Sequence, residues 1–190
     1  EEGNLTPLVA AVALANPLDF VRGSVLLNSG FSRLVYSSTM TKRLRAYVRR
    51  HQHMFPERAS LERALAARSV LEFDEAATAL AFGYKNALEY YQDASSGPRL
   101  GGVRCPLLLL SAADDPIAPP RPEYMDNASE FVCMAITTHG GHCAWAEGLV
   151  PYRSCWSDRV TLEFLANSVE ASRTELVRAA AKDGFVCMAP

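Results

Sequence analysis

Two polar clusters in this chain each follow a short apolar run. Ser111-Ala112-Ala113-Asp114-Asp115-Pro116 comes after PLLLL at residues 106–110, and His139-Gly140-Gly141-His142-Cys143 after FVCMAIT at 131–137. A carboxylate that meets an imidazole can hold it in one tautomer and stabilise the imidazolium, the service a nucleophilic hydroxyl needs from a base. His139, His142 and Cys143 also raise the question of a metal site, but no further ligand stands at suitable spacing, so neither a metal nor a cofactor is expected. Cys143 is an unpromising thiol nucleophile for His142, because side chains of chain neighbours normally diverge.

The elements that must position these residues follow from the apolar pattern. The runs at 7–15 (PLVAAVALA), 106–110 and 131–137 are short, continuous and bounded by turn residues, which favours strands buried on both faces. Between the first two lie about ninety residues of helical character: 31–53, 60–68, 73–82 and 86–94, with Ser69 and Glu72 spaced as a capping box. A short helix at 122–128 and a final one capped by Ser157 or Asp158, carrying Leu162, Phe164, Leu165 and Val169, complete the pattern. Strands alternating with helices imply a parallel sheet, in which ligands bind beyond the carboxyl ends of the strands, where both polar clusters fall. The long first crossover reads as an inserted helical cap.

Composition narrows the function. The 190 residues are 49% hydrophobic and 21% charged, as in a globular domain, and 19 Lys+Arg against 21 Asp+Glu give a net charge of -2. Bulk attraction to nucleic acid is therefore not expected. The apolar run at 8–15 is too short to span a bilayer. Five cysteines, at 105, 133, 143, 155 and 187, are an odd number without a CxxC pair. They are read as buried free thiols, which favours a reducing intracellular compartment.

The order of strand, helical cap, strand with Asp and strand with His resembles the C-terminal part of the α/β-hydrolase fold. The finer matches are Asn16-Pro17, Leu71-Glu72-Phe73-Asp74-Glu75, Gly83-Tyr84, Glu89-Tyr90-Tyr91, Ala94-Ser95-Ser96, Ala112-Ala113-Asp114-Asp115-Pro116 and Gly140-Gly141-His142. Together they resemble the AB-hydrolase group of YheT-type esterases, plant embryogenesis-associated hydrolases, and eukaryotic lipases and medium-chain acyltransferases. The resemblance implies an α/β fold of three parallel strands with crossover helices. Residues 1–20 and 103–170 would form a partial hydrolase core, 21–102 the cap and 171–190 a C-terminal tail. It makes Asp115 the triad acid, with Asp114 as the fallback, and His142 the general base. Gly140 and Gly141 would let the chain turn sharply and bring that imidazole back over the sheet.

The nucleophile such an enzyme needs, a serine within G-x-S-x-G, does not occur in the chain. In the family it precedes the segment that begins at Pro7. With Glu1-Glu2-Gly3 opening the sequence without Met, the chain is therefore read as lacking the N-terminal half of the same protein. The expected activity is a serine carboxylic-ester hydrolase or lipase acting on small ester or lipid substrates, this chain alone being inactive. The rival is a truncated, non-catalytic module with a binding or assembly role. Residues 31–56 hold six cations and no acid, whereas 72–93 are acidic. The two stretches are expected to pair in part, and the basic one offers a contact for anionic lipid headgroups at a membrane surface.

Overall fold

A computed structural model describes residues 5–55, 57–148 and 155–182. Glu1-Glu2-Gly3, Cys187 and the rest of the tail beyond 182 lie outside the described residues. At the centre of the sheet is β2 (Leu107–Ala112), whose last five residues are all buried. Its run of four leucines, at 107–110, is the signature of a strand covered on both sides. It pairs in parallel with β1 (Ala11–Leu14) and with β3 (Val132–Thr137), in the order β1-β2-β3. The registers place Leu14 opposite Leu110, and Ala112 opposite Thr137.

The first strand is shorter than its apolar run. Pairing starts at Ala11, whose N–H donates to the Pro106 carbonyl at 2.8 Å, and Leu8 and Val9 before it are exposed. On β3 burial is uneven, and Cys133 is exposed. The expectation of buried thiols is thereby corrected: Cys143 is exposed too, and Cys105 and Cys155 are half-buried.

The chain divides into two units. The sheet unit holds β1–β3 and a final helix, α8 (Trp156–Lys182), which packs on β1. Its core joins Ala15, Leu110, Ala112 and Trp145, with Leu14, Ala135 and Trp156 against them. Both tryptophans thus serve as core anchors. The helix begins at Trp156 rather than after a Ser157 or Asp158 cap, and Ser157 is buried with its hydroxyl 3.0 Å from Cys155 Sγ. Among the described residues no helix is long and apolar enough to cross a membrane.

The helical unit, residues 17–97 with 115–121, lies in sequence between β1 and β2 apart from its last seven residues. It opens with α1 (Phe20–Leu27), capped by Asp19, whose Oδ1 accepts the Arg22 N–H at 2.9 Å. Next come α2 (Gly30–Ser32), a π-helical segment at Arg33–Ser37 and α3 (Ser38–Arg50). The remaining helices are α4 (Arg58–Ala66), α5 (Val70–Phe73), a second π-helical segment at Asp74–Thr78, α6 (Ala79–Ala81) and α7 (Ala87–Ala94). Val48, Ala64, Ala67, Phe73, Ala76 and Ala77 form its core, where small alanines let the helices approach closely.

Polar side chains fix this unit more than the apolar pattern suggests. Ser69 caps α5 by accepting the Glu72 N–H at 3.2 Å, while Glu72 reaches back to the Arg68 N–H at 2.8 Å. Asn86 and Glu89 repeat the device on α7: Asn86 Oδ1 accepts the Glu89 N–H and Glu89 Oε2 accepts the Lys85 N–H, both at 2.8 Å. In the second π segment Asp74 accepts from the hydroxyls of Tyr91 at 2.6 Å and Thr78 at 2.5 Å, and Glu75 accepts the Ala87 N–H at 2.6 Å. Burial and then the Asp74 contact push the Tyr91 hydroxyl far above its ordinary value, so it stays a donor. The Leu71-Glu72-Phe73-Asp74-Glu75 motif therefore has a structural use within this unit.

Candidate active site

Because β2 and β3 are parallel neighbours in register, the chain leaves both at adjacent tips, and the Ala113 N–H still donates to the Thr137 carbonyl at 2.8 Å. Two residues beyond Ala112, the exposed Asp114 turns to the histidine loop. Its Oδ1 accepts the Gly141 N–H at 2.8 Å, and its Oδ2 lies 3.5 Å from His139 Nδ1. The amide it holds belongs to the residue immediately before His142.

The other side of that loop rests on Trp145. The indole is buried in the sheet-unit core, and its N–H donates to Thr137 Oγ1 at 2.8 Å, while the Thr137 hydroxyl donates to the His139 carbonyl, also at 2.8 Å. Gly140 packs directly on the ring: a Cβ there would stand 2.3 Å from the indole nitrogen. Gly141 and Cys143, on either side of His142, have left-handed φ of +52° and +62°. Gly141 adopts that turn without a Cβ penalty; Cys143 bears one of about 1–2 kcal/mol. His142 itself is exposed at the loop apex.

Asp115, three residues after Ala112, belongs to the helical unit. It is 5% exposed, and its Oδ1 accepts the N–H groups of Ile117 at 2.8 Å and Ala118 at 2.9 Å. Two backbone donors on one oxygen fix the carboxylate's orientation without using a flexible partner. The neighbouring acids therefore differ in kind: Asp115 is buried and locked to its own turn, and Asp114 is exposed and locked to the histidine loop.

Asp114 gives a pH prediction with a definite sign. The Gly141 N–H first, and His139 after it, hold its carboxyl below the ordinary 3.8. A carboxylate with a depressed value stabilises the loop above the unfolded value, and that contribution is lost as pH falls through the folded one. The Gly141 amide resonance is thus expected to titrate below pH 3.8 and to lose this titration in Asp114→Ala. Titration above that value in the native chain would contradict the assignment.

Sequence reasoning names Asp115 and His142 as candidates but gives Asp114, Thr137 and Trp145 no part in holding the loop. The Asp114 contact is to a backbone amide, which leaves no mark in a sequence. Thr137 could have been suspected, as the last residue of the strand that delivers the loop.

A parallel sheet with a helical segment between its first two strands, an acid cluster after the second and a histidine loop after the third is a partial α/β-hydrolase architecture. The comparisons agree. The chain is 33% identical over 170 residues to the human (Homo sapiens) phospholipase ABHD3, a match covering 88% of this chain and 42% of that protein. It is 30% identical over 187 residues to the monoacylglycerol lipase of Saccharomyces cerevisiae, covering 90% and 42%. It is also 30% identical over 189 residues to that yeast's medium-chain fatty acid ethyl ester synthase/esterase 2, covering 86% and 41%. No family model matches the chain, and no solved structure does. The chain is thus similar to members of the α/β-hydrolase superfamily and carries part of their fold, and it spans about two fifths of the length of these curated relatives.

Proposed function

We propose that this chain is the acid- and base-bearing part of a serine carboxylic-ester hydrolase acting on acylglycerol, phospholipid or medium-chain esters. The observation that carries the reading is the register of β2 and β3, which sends the Asp114-Asp115 segment and the His142 loop out from neighbouring tips. The names of the relatives (phospholipase, lipase, esterase) supply the reaction class.

In this reading a serine hydroxyl from outside these 190 residues attacks the ester carbonyl while His142 takes its proton. The bond from acyl carbon to leaving oxygen then breaks, and His142 returns the proton to the departing alkoxide. Water, or an alcohol in acyl transfer, next attacks the acyl-enzyme, again deprotonated by His142; the bond from acyl carbon to serine oxygen then breaks and His142 returns the proton to the serine. Asp115 orients the imidazole and offsets its charge. It is preferred to Asp114 because it is buried and rigidly held, whereas Asp114 is engaged by Gly141 and His139. Residues 1–20 and 103–170 act as the core portion and 21–102 as its cap. Within the helical unit a cavity of about 630 Å³, lined by Leu44, Val48, Phe55, Phe73, Ala77 and Phe82 among others, has the size and apolar character of an acyl-chain site.

The test compares this chain with the complete product that carries it. The complete product is expected to hydrolyse p-nitrophenyl and monoacylglycerol esters and to be labelled by a fluorophosphonate, and the 190-residue chain to do neither. Turnover by the chain alone, lost in His142→Ala, would place the nucleophile inside it. A complete product inert to both reagents would end the hydrolase reading.

A further inference from the structure

We propose that the helical run from residue 30 to residue 50, with the adjoining end of α1, is a docking surface for an anionic lipid bilayer. This goes beyond ester hydrolysis and holds whether or not the protein turns esters over.

The first ground is uncompensated charge. The run contains Arg33, Lys42, Arg43, Arg45, Arg49 and Arg50 and no acid. The acidic stretch expected to pair with it does not. Asp74 is taken by Tyr91 and Thr78, Glu72 by the Arg68 amide, Glu75 by the Ala87 amide and Glu89 by the Lys85 amide. Among the described residues no salt bridge joins Arg33, Lys42, Arg43, Arg49 or Arg50 to a carboxylate. All five are exposed. On α3 the buried row is Thr41 and Val48. Arg43 and Arg50 lie two positions further on, about 200° round the helix from that row, and Lys42 and Arg49 stand between. The charge is therefore gathered on the side turned away from the core.

The second ground is apolar. At the N-terminal end of the same run Phe31 and Leu34 are 71% and 74% exposed, and Val35 is exposed as well. They follow helical spacing, and Val25 and Leu26 at the end of α1, exposed too, extend them. Large apolar side chains at one end of a helical run and cations along the rest of it are what a bilayer interface rewards: rings and aliphatic groups enter the acyl boundary while Lys and Arg meet anionic headgroups. Charge decides the occupant. A second copy docked on the same face would set cation against cation.

The experiment is flotation of the 190-residue chain with phosphatidylcholine vesicles and with vesicles that also contain phosphatidylserine. The chain is expected to rise with the anionic vesicles far more than with the neutral ones, and to be released as salt is raised. Arg43→Ala with Arg50→Ala should weaken anionic partitioning about thirtyfold. Phe31→Ser with Leu34→Ser should weaken it on both vesicles. Arg58→Ala, which removes a cation already paired with Glu62, should leave it unchanged. Far-UV circular dichroism checks that each variant keeps its helices. Equal recovery on the two vesicles, no recovery on either, or anionic binding indifferent to the Arg43 and Arg50 changes in a folded variant would overturn the proposal. So would self-association that the Phe31 and Leu34 changes abolish while flotation persists.

Discussion

His142→Ala in the complete product should lower ester turnover by about 10⁴-fold or more while leaving the fold intact. The side chain is exposed at a loop apex, and the loop is held by its neighbours: Asp114 on the Gly141 amide and Trp145 under Gly140. Removing the imidazole thus costs little packing but takes away the only proposed acceptor of the serine proton. Asp115→Asn should fall by a similar factor, about 10⁴, because an amide in place of the carboxylate selects the wrong tautomer of the base. Asp114→Asn is the control that separates the two acids. Its amide oxygen can still accept the Gly141 N–H, so activity should stay within about tenfold of the parent. The cost of losing a triad member is not shared additively, so Asp115→Asn with His142→Ala should be scarcely worse than His142→Ala alone. If Asp114→Asn proved the crippling change and Asp115→Asn the mild one, the roles of the two acids would exchange. If His142→Ala kept full activity, the mechanism would fail altogether.

How much of this was legible in the sequence differs from element to element, for physical reasons. The central strand was clear because both faces are buried and four consecutive leucines, at 107–110, fill them. The first strand was overextended, since an apolar run fixes where a chain can be buried but not where a partner begins; pairing waits for Pro106. The helix at Phe20–Leu27 leaves a weak signal: Asp19 stands at its N-cap position, but Gly23 within it lowers helix propensity. The two π segments have no periodic signature. Each is tied to distant contacts: Ser37 donates to Asn28 Oδ1 and accepts the Val70 N–H, and Asp74 accepts from Tyr91. Cys133 misled because alternation on a half-covered strand is invisible when both faces carry apolar residues. At the site, strand order and two polar clusters point to the loops that leave the neighbouring tips of β2 and β3, and resemblance chooses between Asp114 and Asp115. Which acid grips the histidine loop depends on a backbone amide, and that only coordinates reveal.

Gly140→Ala should destabilise the chain by about 2–4 kcal/mol, an unusual cost for adding one methyl group to a loop. The new Cβ would lie 2.3 Å from the Trp145 indole nitrogen and 2.7 Å from two ring carbons, distances at which something must move. The ring has nowhere convenient to go. It is packed with Ala15, Leu110 and Ala112, and its N–H is committed to Thr137 Oγ1. Overpacking of this kind costs about 1–3 kcal/mol, and displacing the indole adds about 1 kcal/mol for the hydrogen bond. Gly141→Ala is the matched comparison. Nothing lies within 4 Å of a Cβ there, and the Asp114 contact uses the amide, which alanine keeps. It therefore bears only the left-handed φ of +52°, about 1–2 kcal/mol. Chemical denaturation of the two variants should rank Gly140→Ala clearly below Gly141→Ala. The same comparison probes function: displacing the loop from Trp145 moves His142, so the complete product with Gly140→Ala should lose turnover well beyond its loss of folded protein. If Gly140→Ala matched the parent in both stability and turnover, the indole would not be what holds the histidine loop to the sheet.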